Sequence, residues 1–156
     1  MNKLYFVGKY KVKGIDNYAT VQECVDYCEG EGKDILGLDI ETSKHPELGH
    51  LETDVYVGGL DPYLSRVIMI QIGDLERQYA IDVRCYTNEE LKPLIDFLHW
   101  NPTRIFVGHN LKFEGKHLRH NYGIRLFEVY DTMMAELSLY NGITESLSLA
   151  GFAEKF

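Results

Sequence analysis

The sequence predicts an α/β fold, a sheet with helices packed on it. Three observations carry that prediction. Strand-like apolar runs lie close together at Ile35–Glu41 ("ILGLDIE"), Val67–Gly73 ("VIMIQIG") and residues 77–84 ("RQYAIDVR"). From Asn88 onward, short apolar runs alternate with helix-period patterns. The length of 156 residues suits one domain spanning 1–156, with room for a real core.

The elements follow in order. Leu4 to Gly14 alternates apolar and basic residues and reads as a first strand. Thr20 is placed to cap a helix, with Glu23 completing a capping box. Val21, Cys24, Val25 and Cys28 form that helix's apolar stripe, and "EGEGKD" ends it. The strand Ile35–Glu41 comes next. Lys44 to Gly59 has weak periodicity and several breakers, so a loop or inserted flap is expected, the insertion proper covering Lys44–Gly58. Val67–Gly73 reads as a central strand, and "GDLE" turns it into the following run, which is expected to be antiparallel to it. Asn88–Trp100 is an amphipathic helix capped by Thr87 or Asn88, where Pro93 suggests a shifted start. "RIFVGHN" is a short buried strand, Leu111–Asn121 a helix, and "GIRLFEVYDTM" a strand running into a helix from Thr132 to Tyr140. One more helix is expected in "TESLSLAGFAEKF", with Thr144 as its cap.

Composition excludes some functions. No apolar run approaches the roughly 20 residues of a membrane helix, and "MNKLYFVGKYKVKGID" lacks a signal-peptide core, so the expected location is cytoplasmic. Cys24, Cys28 and Cys85 give neither a disulfide framework nor a zinc pattern, and Cys24 and Cys28 read as small buried thiols. The net charge of −8 argues against holding nucleic acid by bulk electrostatics alone. It leaves open a nuclease whose acidic site is neutralised by metal.

Two stretches suggest chemistry. In "ILGLDIETS", strand alternation points Asp39 and Glu41 to the same face. Two carboxylates that close raise each other's pKa unless a hard cation such as Mg²⁺ or Mn²⁺ lies between them. In "VGHNLKFEGKHL", Gly108-His109-Asn110 turns the chain after a buried strand, and Glu114 emerges one turn into a helix. A carboxylate there is placed to face the Asp39/Glu41 pair across a cleft.

Together these stretches resemble the DnaQ-like (DEDD) 3′–5′ exonucleases, and most closely the proofreading exonuclease domain of family A DNA polymerases. "LDIETS" is similar to the first motif, Asp-x-Glu, and "HNLKFE" to the second, His-Asn-x-x-Phe-Asp. "GLDPYLSRVIMIQIGD", "YDTMMAELSLYNG" and "ESLSLAGFAEKF" resemble the connecting segments in the family's order. The resemblance implies a ribonuclease H-like mixed sheet flanked by helices. It also implies two divalent ions, Mg²⁺ or Mn²⁺, held by Asp39, Glu41 and Glu114 as catalytic ligands. Ile40, Thr42, Asn110 and Phe113 are implied contacts of the substrate, with Phe113 also read as a core anchor. The implied reaction removes nucleoside 5′-monophosphates from the 3′ end of single-stranded DNA or a frayed primer, in or beside a DNA polymerase and so in a cytoplasmic, nucleoid or viral replication complex.

Three departures from the family pattern stand out. Glu114 replaces the usual Asp, lengthening the arm by one methylene. The insertion Lys44–Gly58 carries His45, His50, Glu52 and Asp54, a solvated loop or a flap over the cleft. The third motif, Tyr-x-x-x-Asp or His-x-x-x-x-Asp on a later helix, is absent, so the fold is expected to be C-terminally incomplete. Asp131 matches a structural Asp-Thr at a helix start and is a lesser candidate for the metal. The chain then reads as an N-terminal piece or one product of a split gene, completed by downstream sequence or a partner chain, with apolar surface exposed where the missing helices pack. Alternative readings are a ribonuclease D-like RNA exonuclease and a catalytically impaired nucleic-acid-binding module.

Overall fold

The computed structural model describes residues 3–44, 57–140 and 148–153. Its strands are β1 (Lys3–Val7), β2 (Ile35–Lys44), β3 (Ser65–Gly73), β4 (Arg77–Asp82), β5 (Ile105–Gly108) and β6 (Val129–Asp131). Its helices are α1 (Val21–Cys28), α2 (Val57–Leu60), α3 (Asn88–Leu98), α4 (Leu111–Tyr122), α5 (Thr132–Tyr140) and α6 (Leu149–Ala153). The strands form one sheet in the order β1-β4-β3-β2-β5-β6. β3 runs antiparallel to both neighbours, while β1/β4, β2/β5 and β5/β6 pair in parallel. The predicted mixed α/β sheet is therefore the observed one.

One face of the sheet is covered. Leu36, Leu38 and Ile40 of β2 are buried and share a core with Val21, Cys24, Val25 and Cys28 of α1 and Leu91, Leu94, Phe97 and Leu98 of α3. Alternation then turns Ile35, Gly37, Asp39 and Glu41 to the other face, where all four are exposed. Leu4, Ile105 and Val129 are exposed apolar side chains of the neighbouring strands. The cysteines are free, with Cys24 and Cys28 buried as expected.

Local chemistry sets the boundaries. Thr20 and Thr87 each build a full capping box, with Glu23 and Glu90 respectively. The helix at Thr87 does not start late: it begins at Asn88 and carries Pro93 inside it. The first strand is shorter than its alternating pattern suggests. β1 stops at Val7, opposite Ile81, because its partner β4 ends one residue later at Asp82. There the Asp82 carboxylate accepts the Arg84 N–H and opens a 3₁₀ turn. The chain beyond β1 doubles back instead, with Phe6 N–H donating to Asn17 O and Ala19 N–H to Phe6 O. α4 ends at Gly123, which takes the left-handed conformation (φ 71°) and donates its N–H to the last carbonyls. The expected insertion and the Thr144 cap lie outside the described residues, apart from Lys44 at the end of β2 and the start of α2.

Candidate active site

The site is built where β2, β5 and α4 meet. Gly108 closes β5 against β2 so tightly that a Cβ there would lie 2.7 Å from Leu38 O and 2.5 Å from Leu111 Cδ2. Only glycine permits that approach. Asn110 then takes a left-handed conformation (φ 68°, ψ 43°), which Asn tolerates better than most residues, and α4 starts at Leu111. Its turn is pinned from behind: Asp131 Oδ1 accepts the N–H groups of Asn110 (2.9 Å) and Met133 (3.0 Å). Thr132 Oγ1 donates to Gly108 O (3.1 Å) and lies 3.0 Å from His109 Nδ1.

This geometry aims Glu114 inward. Its side chain is 4% exposed, and its Oε2 is buried without a hydrogen-bond partner. Burial above all, together with the charges of Asp39 and Asp131, pushes its carboxyl up to about 7 against the opposing effect of its own backbone N–H. Asp39 lines the hollow of the cleft with Gly37, Gln71, Val107, His109 and Thr132, a space of about 600 Å³. It is open to solvent, but the cleft walls strip part of its hydration and raise its pKa, against the hydrogen bond from the Ile40 backbone. Gln71 Nε2 donates to Asp39 Oδ2 (3.2 Å). Glu41 stands two residues along on the same exposed face. There the pairing with β3 breaks, Glu41 facing Met69 and Thr42 facing Val67, so Ile68 bulges out. A bulge beside a site re-aims side chains and twists the strand end.

Asp39 and Asp131 thus both lie near enough to Glu114 for their charges to raise its pKa. Glu41 shares Asp39's face but is not among the charges acting on Glu114. Among the described residues, no three His, Cys, Asp or Glu side chains form a ready-made metal cluster. The donors present are nevertheless all carboxylate oxygens, and a buried carboxylate oxygen without a partner fits a hard divalent cation.

Other expected contacts fare differently. Ile40 is corrected: its side chain is 4% exposed and belongs to the core, because alternation sets it opposite Asp39 and Glu41. Thr42 Oγ1 donates to Gly59 O (2.7 Å), so its hydroxyl latches the far end of the insertion to β2. Asn110 offers no side-chain cap to α4. Phe113 packs against the core and lies 4.2 Å from the His117 ring, centroid to centroid, which favours the anchor reading. Asp131 is foremost the structural pin described above. Gln71 escaped the sequence reading, although it is the lone polar residue of "VIMIQIG" and pairs directly with Asp39. His117 also escaped it: the ring is fully buried, Nδ1 lies 2.9 Å from Phe113 O, and Nε2 has no partner.

A mixed sheet of this order, with carboxylates on its central strand, defines the ribonuclease H-like α/β class. Within that class the chain belongs to the 3′–5′ exonuclease family of the DNA polymerase A type, whose family model matches residues 30–156. It is 40% identical over 75 residues to DNA polymerase I of Aquifex aeolicus (strain VF5), a match covering 48% of this chain and 12% of that polymerase. Its fold is similar to that of Brucella melitensis NrnC, solved bound to pGG (TM-score 0.67, 16% identity, 100% of this chain and 61% of that one). The same protein solved with bound Mg²⁺ gives a TM-score of 0.63 at 16% identity, over 100% of this chain and 62% of that one. Trypanosoma brucei RNase D in complex with RNA U12 follows (TM-score 0.57, 16% identity, 92% of this chain and 49% of that one). The chain spans less than two thirds of each of these relatives. Among the described residues, no helix is long and apolar enough to cross a membrane.

Proposed function

We propose that this chain is a divalent-metal-dependent 3′–5′ exonuclease of the proofreading type, acting on the 3′ end of single-stranded DNA within or beside a family A DNA polymerase, in the cytoplasm or a replication complex. The observation that carries the reading is Glu114, a carboxylate with a buried, unpartnered Oε2 whose pKa is raised by burial and by the charge of Asp39, with no salt bridge to either among the described residues. Asp39, Glu41 and Glu114 would hold two ions of the Mg²⁺ or Mn²⁺ kind, Mg²⁺ being the ion bound in one solved structural neighbour. Bound there, such ions make water a nucleophile at neutral pH and offset charge on the attacked phosphate.

The chain's residues have separate tasks. β2 fixes Asp39 and Glu41 on one face, and Gln71 orients Asp39 from the next strand. Asp131 and Asn110 fix the start of α4 and with it Glu114. In the overall reaction, water oxygen bonds to phosphorus, the bond from phosphorus to the 3′ oxygen breaks, and that oxygen takes a proton. The products are a nucleoside 5′-monophosphate and a strand shorter by one with a free 3′ hydroxyl.

A second reading, an exonuclease for RNA, is favoured by the fold likeness to an RNase D solved with RNA. Matched single-stranded DNA and RNA oligomers, labelled at the 5′ end and incubated with Mn²⁺, test both. Stepwise shortening of DNA with release of 5′-monophosphates supports the first reading. Faster shortening of RNA supports the second, and no shortening of either points to a non-catalytic binding module.

A further inference from the structure

A second concavity, of about 880 Å³, lies between the segment that follows α2 and the outer face of α4. Tyr63 stands on one wall and Lys116, Arg119 and His120 on the other. The chain carries 24 acidic and 16 basic residues, yet from Gly115 to Phe127 it has no Asp or Glu. Lys116, Arg119 and His120 are all exposed, and at spacings of three and four they share one helical face. Tyr63 is 70% exposed, and its ring meets His120 edge-on at 4.7 Å. The one acid in the lining, Asp61, accepts the Tyr63 N–H (2.8 Å) and so fixes the turn that presents the ring.

Two ties join this cleft to the acidic site. Thr42, the residue after Glu41, donates to Gly59 O on the α2 side, and Asn121 Oδ1 at the end of α4 accepts the Val67 N–H of β3 (3.3 Å). Arg119 lies five residues beyond Glu114 on the same helix, roughly 7 Å along its axis. Basic groups near a helix C-terminus also favour the helix dipole. That role needs neither Lys116 in mid-helix nor a large aromatic ring left in water opposite it.

We propose that this cleft is a second contact for single-stranded nucleic acid, holding an upstream nucleotide with its base on Tyr63 and the flanking phosphates on Lys116 and Arg119. Resting on the nuclease reading, the inference gives an acidic protein a local hold on a polyanion. The catalytic carboxylates then act on a strand already anchored by its neighbours.

Fluorescence anisotropy with labelled DNA and RNA strands of about ten nucleotides, in chelator so that no hydrolysis occurs, tests it across a salt series. In K116A/R119A, affinity at low salt is expected to fall about tenfold. The slope of log K against log salt should shallow by about 1.4, two phosphates at about 0.7 each. Y63L should lose a similar factor with the slope unchanged, as expected for stacking. K116Q/R119Q, which keeps more of the side-chain packing, should match the alanine pair. Unchanged affinity and slope in both double variants overturns the proposal. The readout is independent of catalysis: loss of binding without cleavage by wild type would sink the nuclease reading alone, and cleavage with unchanged binding would sink this one alone.

Discussion

Two groups of charge on the same sheet behave in opposite ways. At the turn after β3, Lys33 Nζ donates to Asp74 (2.7 Å), Glu76 (2.9 Å) and the Tyr27 hydroxyl (2.7 Å). Asp74 also accepts the N–H groups of Glu76 (2.8 Å) and Arg77 (2.9 Å). Burial pushes its carboxyl up, but Lys33, the two N–H groups and Tyr27 outweigh it and hold it well below the usual range. At the acidic cleft, Glu114 is the reverse: buried, facing other carboxylates and pushed up to about 7. A charge group that the chain completes by itself is structural. One that stays unbalanced among the described residues is the place to test for a recruited cation.

The sharpest way to break that contrast is to remove one carboxylate from each side. Asp39→Ala should lower hydrolysis with Mn²⁺ by roughly 10³-fold, the scale expected when charge stabilisation at the reacting phosphate is lost. Asp74→Asn should leave the rate unchanged. Initial rates on a single-stranded oligomer check both.

The next effect is on stability against pH. Glu114 binds its proton more tightly folded (about 7) than unfolded (near 4.5), so its contribution is full below about pH 4.5 and is lost as pH rises through 7. The loss is on the order of 3 kcal/mol. Glu114→Gln should flatten that fall in urea unfolding between pH 5 and 8. Mn²⁺ at pH 8 should stabilise the wild type more than this variant. Asp74 has the opposite sign: its stabilisation is present above the usual aspartate pKa and is lost only in strong acid.

Smaller effects sharpen the structural side. Asp74→Ala should cost about 1–2 kcal/mol at neutral pH, after allowing for solvent screening of the corner. Its midpoint should fall in urea with no change in metal dependence. Thr87→Ala removes a helix cap that belongs to neither group and should cost about 1 kcal/mol, again without effect on hydrolysis.

Much of the molecule was legible in the sequence where one local rule decided the outcome. Strand period placed Asp39 and Glu41 on one face, and capping chemistry placed α1 and α3. The same period, followed one residue further, also shows why Ile40 is core and not a substrate contact. Less legible were features set by another strand or helix. β1 stops where its partner turns away, and Gln71 matters only once register puts it opposite Asp39. The basic cleft at Tyr63 joins residues more than 50 positions apart, and no local pattern announces such a meeting.

The most direct test is a side-by-side assay of the wild-type chain and Asp39→Ala with Mn²⁺ on a 5′-labelled single-stranded oligomer, followed nucleotide by nucleotide. A ladder shortening from the 3′ end is expected in the wild type and an intact strand in the variant. Equal residual cleavage by both proteins would contradict it.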